Sequence, residues 1–161
     1  MIFNEKVWVV LRPNYINGNL KSVGICGTGF FIEPNKFITA HHICDESSFS
    51  PFKIWNNDRL ILLSPKGEKE EVYLNQCTFS KDKDITYIKT NNNYSFLETE
   101  DGLLNAEIYS VGYPTKDQSF LIGNDLTIKE QKKDQGKIVE IQENYSVEFS
   151  NGNIKDKKVL I

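Results

Sequence analysis

Gly27-Thr28-Gly29-Phe30-Phe31-Ile32-Glu33-Pro34-Asn35-Lys36-Phe37-Ile38-Thr39-Ala40-His41-His42-Ile43 reads as a two-stranded antiparallel ribbon. Apolar residues cluster at 30–32 and again at Phe37 and Ile38, and Glu33-Pro34-Asn35-Lys36 between them carries turn chemistry. Gly27 and Gly29 open the first strand, where a missing Cβ marks close approach by another part of the chain. The second strand runs through Thr39 and Ala40 into His41-His42. A histidine where an apolar strand meets a loop is held by the strand yet stays within reach of a ligand, which suits a catalytic imidazole.

Outward from the ribbon, short apolar runs recur with turn residues between them. Residues 6–12 (Lys-Val-Trp-Val-Val-Leu-Arg) predict a first strand ended by Pro13-Asn14, and Asn17-Gly18-Asn19 a turn leading to a strand over 21–26. After a polar loop at 45–51, strands are expected at 52–55 and 60–63. Residues 71–74 and 77–79 read as one strand continuing through a polar kink, and 85–89 as the next strand. Spacings of roughly 8–12 residues, with no capped helix before residue 95, predict an all-β barrel or sandwich. The polar, acidic stretch 94–105 suits a connector. A second set of strands is expected at 106–113, 125–130, 137–142, 145–149 and 157–161.

A second chemical signal lies in Lys81-Asp82-Lys83-Asp84-Ile85-Thr86-Tyr87-Ile88-Lys89, where Asp84 heads an apolar strand. Asp84 reads either as the end of a solvated charge run or as a carboxylate that something uses, since burying one there is unfavourable without a partner.

Together these residues resemble the trypsin-like (chymotrypsin-fold) serine proteases, and most closely bacterial branches such as the glutamyl-endopeptidase-like and HtrA-like enzymes. The ribbon followed by Ile-Thr-Ala-His-His-Ile is similar to that family's histidine motif, with His42 in the catalytic slot and His41 in the variable position before it. Asp84 resembles the family's aspartate, with Thr86 where alanine is usual, and the 42 positions from His42 to Asp84 match the usual separation. Gly112-Tyr113-Pro114 and Gly136-Lys137-Ile138, the latter opening a strand, are similar to second-barrel features. The resemblance implies a double β-barrel: residues 1–94 as a first barrel carrying His42 and Asp84, 95–105 as a connector, and 106–161 as the first strands of an incomplete second barrel. It also implies peptide-bond hydrolysis in which His42 is the general base and a buried Asp84 fixes its tautomer and stabilises the imidazolium.

The family's nucleophile sits in Gly-x-Ser-Gly, and the sequence contains no such motif; Ser110, Ser119, Ser146 and Ser150 lack its glycine frame. The resemblance therefore implies a serine, or a cysteine in a variant, beyond Ile161 or on a second chain that completes the barrel. The other reading is a non-catalytic protease-like module that binds a peptide or protein partner.

Composition narrows the remaining classes. With 39% hydrophobic residues and a mean hydropathy of −0.43 the chain reads as globular, and no apolar run approaches the roughly 20 residues of a membrane span. A net charge of −3, with Arg12 and Arg59 the only arginines, gives no basic footprint for nucleic acid. The first residues lack the pattern of a signal peptide, so cytoplasmic residence is expected. Cys26, Cys44 and Cys77 lack metal spacing; free buried thiols are expected, with a Cys26–Cys44 disulfide, implied by secreted members of the family, as the alternative. His41, His42, Cys44 and Asp45 could be read as metal ligands. Strand neighbours point to opposite faces, however, and no further histidine exists, so neither metal nor cofactor is expected.

Overall fold

The computed structural model describes residues 1–44, 59–80, 82–100, 102–114, 125–138, 141–148 and 154–160, the last two segments as backbone only. The expected loop at 45–51 and strand at 52–55 lie outside them. The described residues are β-strands and connecting turns, with helix limited to single turns.

Seven strands form one antiparallel sheet: β1 (Val7–Ile16), β2 (Asn19–Glu33), β3 (Lys36–Thr39), β4 (Arg59–Leu63), β5 (Lys69–Tyr73), β6 (Cys77–Ser80) and β7 (Ile85–Lys89). Their order across the sheet is β5-β4-β1-β2-β3-β7-β6. The two edge strands, β5 and β6, are consecutive in sequence and joined only by a 3-10 turn at Leu74–Gln76. A seven-stranded sheet whose edges are linked by one turn must curl on itself, and the result is a half-barrel. The kinked strand expected over 71–79 is thus two strands that pair with different neighbours, β4 and β7.

The ribbon forms as expected, with Phe30 opposite Ile38 and Phe31 opposite Phe37. Its glycines are both sites of close approach. A Cβ on Gly29 would meet the Phe37 ring and lie 2.7 Å from the Ile38 carbonyl oxygen, and one on Gly27 would meet the Ile43 side chain.

Two strand ends differ from expectation. β1 runs through Pro13, which sits opposite Val23 in β2. The pairing of β4 with β1 ends at Leu11–Ile61, so among the described residues β1 has no ladder on that side beyond it for a proline to interrupt. The segment 21–26 is not a separate strand but the start of a 15-residue β2, bulged where Cys26 lies between the residues opposite Val10 and Leu11. Asn17 and Gly18 close the β1–β2 hairpin with φ of 53° and 78°, the left-handed pair a two-residue turn requires.

The sheet has a core on each face. Trp8, Val10, Phe31, Phe37, Leu60, Leu62, Val72 and Ile88 fill one side, with the Trp8, Phe31 and Phe37 rings edge-to-face at 5.1–6.3 Å. Val7, Val9, Leu11, Ile61 and Leu63 point the other way, onto Ile25, Tyr113 and Ile128.

Beyond residue 105 lie β8 (Glu107–Gly112) paired with β9 (Lys132–Lys137), and β10 (Ile141–Glu148) paired with β11 (Ile154–Leu160). β8, β10 and β11 fall on the strands expected at 106–113, 145–149 and 157–161. Residues 125–130 do not form a strand, because Leu126 has a φ of 58°, outside the extended region. The strand expected over 137–142 spans the end of β9 and the start of β10, and Gly136 closes a strand rather than opening one.

Candidate active site

The candidate histidines sit on α1 (His41–Cys44), a single helical turn directly after β3. Four contacts seat it. The Thr39 hydroxyl donates to the Thr28 carbonyl at 2.9 Å, anchoring the end of β3 to β2. The gap left by Gly27 accepts the Ile43 side chain. The buried Arg12 guanidinium donates to the Ile43 carbonyl at 3.1 Å, and the His41 backbone N–H donates to the Asp84 carbonyl at 3.2 Å.

Asp84 ends the turn between β6 and β7 with a φ of 51°, a left-handed conformation that aspartate tolerates better than most residues. Both of its carboxylate oxygens reach His42. Oδ2 lies 2.6 Å from the ring Nδ1, and Oδ1 accepts the His42 backbone N–H at 2.8 Å. An ionised carboxylate can only accept, so Nδ1 is the donor, and in the neutral imidazole the lone pair is then on Nε2. Limited burial pushes the Asp84 carboxyl upward in pKa. Hydrogen bonds from the His42 ring and backbone, with the charge of both histidines, outweigh that and hold it below the ordinary value.

Two expectations about the site are corrected. Asp84 is not a buried carboxylate: its side chain is 49% exposed and that of His42 67%. The reason is its place at the tip of a turn, ahead of the first buried residue of β7, Thr86. Nor is Asp84 just the end of a solvated charge run, since both oxygens are engaged. The two histidines diverge from a helical turn, not from a strand. His41 stacks on Phe79 at 4.3 Å between ring centroids, and its Nδ1 shares a hydrogen bond with Thr86 Oγ1 at 3.2 Å.

Arg12, Phe79 and Thr86 were not legible as site residues. Thr86 was visible only as a hydroxyl where the resembled motif has alanine; buried in β7, it holds the ring of the neighbouring histidine. Arg12 carried no signal beyond ending an apolar run.

Among the described residues, no group of three or more His, Cys, Asp or Glu side chains is arranged to hold a metal ion, and no helix is long and apolar enough to cross a membrane. All three thiols are free; Cys44 is buried, and Cys26 and Cys77 are half-buried rather than buried as expected. What the geometry offers chemically is an exposed imidazole with one fixed tautomer, backed by a carboxylate that would stabilise its protonated form. In comparisons with known proteins, no family model and no curated protein matches this sequence.

Proposed function

We propose that this chain supplies the general base of a serine endopeptidase, with His42 as base and Asp84 as its orienting carboxylate. The observation that carries the reading is the two-point grip of Asp84 on His42, on ring and backbone of the same residue at 2.6 and 2.8 Å. A carboxylate placed only for surface charge has no need of that geometry.

In this reading His42 Nε2 takes the proton from a serine hydroxyl as it attacks the scissile carbonyl, and Asp84 stabilises the imidazolium formed. The same nitrogen then returns the proton to the leaving amine. The serine is proposed to come from beyond Ile161 or from a second chain, because no Gly-x-Ser-Gly occurs in the sequence. The chemistry needs neither metal nor cofactor. A chymotrypsin-like pair of barrels is the architecture proposed with it: residues 1–94 the first barrel, 95–105 the connector, 106–161 the opening strands of the second. The curl of the sheet between β5 and β6 supports the first of these.

The test is amide hydrolysis by the full-length protein. His42→Ala should lower kcat by about 10,000-fold or more, and Asp84→Asn by about 1,000- to 10,000-fold. Unchanged turnover in His42→Ala rules the reading out. A second reading, a protease-like module that binds a peptide or protein partner without cleaving it, is favoured by the missing nucleophile motif. It predicts no labelling of the full-length protein by a fluorophosphonate.

A further inference from the structure

Thr28 lies in β2 between Gly27 and Gly29 and directly opposite Val9 of β1. Residues opposite each other in a ladder share a face, so its side chain stands with Val9 on the side of the sheet where the Tyr113 ring packs. It is held from two directions at once. Its carbonyl accepts the hydroxyl of Thr39, the residue that ends β3 and leads through Ala40 into the turn bearing His42, at 2.9 Å. Its own hydroxyl oxygen accepts the Tyr113 backbone N–H, also at 2.9 Å, from 85 positions along the chain.

The end of β8 comes close to the same side chain. A Cβ on Gly112 would lie 3.0 Å from Thr28 Oγ1 and 3.7 Å from its Cβ and Cγ2, so the β8 backbone rests against the threonine. The joint is open on one side. A cavity of about 340 Å3 adjoins it, with Thr28, Tyr113 and the β9 residues Lys132 and Asp134 among those that line it. With that space unfilled, the hydrogen bond from Tyr113 to Thr28 is what ties the end of β8 to the sheet at this point.

We propose that Thr28 is a positioning residue for the candidate site. Its hydroxyl fixes the end of β8 and its carbonyl fixes the end of β3, so one residue of β2 sets how the C-terminal strands stand relative to His42. The inference rests on the endopeptidase reading, in which those strands lead towards the nucleophile. It adds to that reading the contact that keeps base and nucleophile in register, a placement on which catalysis depends steeply.

The test compares wild type with Thr28→Val, which keeps the shape and the carbonyl but removes the acceptor, and with Thr28→Ser, which restores the acceptor. Residual dipolar couplings of the whole chain report the orientation of the β8–β9 amides against those of β1–β4. One alignment should fit both sets in wild type and in Thr28→Ser, whereas in Thr28→Val the β8–β9 amides should depart from it. The Tyr113 amide of Thr28→Val should also exchange about tenfold faster or more. In the full-length protein Thr28→Val should lower kcat for amide hydrolysis by about 10- to 100-fold, with KM changed less than about threefold and Thr28→Ser close to wild type. A single alignment that still fits Thr28→Val, or a freed Tyr113 amide with wild-type kcat, would overturn the proposal. Absence of amide hydrolysis in the wild type would instead overturn the endopeptidase reading, and the couplings decide without it whether Thr28 orients the strands.

Discussion

β1 and β4 lie between two cores, whereas the β8–β9 ribbon has almost none. Every residue from Val7 to Leu11 and from Leu60 to Leu63 is buried, odd and even positions going to opposite sides of the sheet. All six residues of β9 are exposed, as are four of the six in β8, including Ile108 and Tyr109. The difference teaches what an unbroken apolar run means. In a half-exposed strand hydrophobic residues alternate; where they do not, both faces must be covered. The sequence Val-Trp-Val-Val-Leu therefore requires a second layer outside the barrel interior, and the C-terminal part of the chain supplies part of it through Tyr113 and Ile128.

The largest test of this contrast is truncation on each side of it. Trp8→Ala removes a 1%-exposed ring that touches Phe31, Phe37 and Tyr94. It should lower stability by about 3–5 kcal/mol in urea unfolding. Ile108→Ala, at an exposed position of β8, should change it by less than about 0.5 kcal/mol. Equal losses at the two sites would mean that the ribbon is covered in solution and the contrast is false.

That contrast also explains which parts of the fold the sequence disclosed. β1, β4 and the β2–β3 ribbon were legible because burial demands apolar residues there. β9, Lys132-Lys133-Asp134-Gln135-Gly136-Lys137, has no hydrophobic pattern, in keeping with the exposure of all six of its residues. The opposite error arose at 125–130: Leu126 and Ile128 alternate like strand residues and do pack on the outer core, but the positive φ of Leu126 ends any extended run. Burial was readable there and backbone conformation was not. In the candidate site, the pairing of His42 with Asp84 followed from the motif. The exposure of Asp84 and the hold of Thr86 on His41 did not, because they depend on where the β6–β7 turn lies in space.

A sharper test concerns the polar contacts that join the two regions. Tyr113 is 3% exposed; its hydroxyl donates to the Val7 carbonyl at 2.7 Å and accepts from Gln131 Nε2 at 2.6 Å. Gln131 in turn accepts the Phe3 and Asn4 backbone N–H groups at 2.9 Å. Burial pushes the Tyr113 phenol up to about 12 from 10.0, with the Gln131 hydrogen bond opposing it. The folded state thus holds this proton more tightly than the unfolded state, so the contribution is intact below pH 10 and lost as pH rises towards 12. The expected loss across that window is about 2–3 kcal/mol, from two pKa units. Tyr113→Phe should flatten that part of the pH–stability curve, at a loss of about 1 kcal/mol near neutrality. If Tyr113→Phe leaves the alkaline fall unchanged, the two regions are not joined through this phenol.

The smallest effect belongs to the ribbon itself. Lys133 lies directly opposite Val111, with Tyr109 two residues along on the same face, and its Nζ sits 4.1 Å from the Tyr109 ring centroid and 5.3 Å from that of Phe3. Cation–π contacts at exposed sites contribute about 0.5–1 kcal/mol, and in urea unfolding Lys133→Ala should fall at or below that range. Global unfolding is insensitive to it because β8 and β9 contribute little buried area to the cooperative unit. Amide hydrogen exchange is the better measurement. With that side-chain contact removed, the β8–β9 ladder should exchange several-fold faster, while amides of β1 and β4 keep their protection. Parallel acceleration in both would show that the ribbon opens only when the half-barrel does, so that one cooperative unit spans two regions whose burial differs this much.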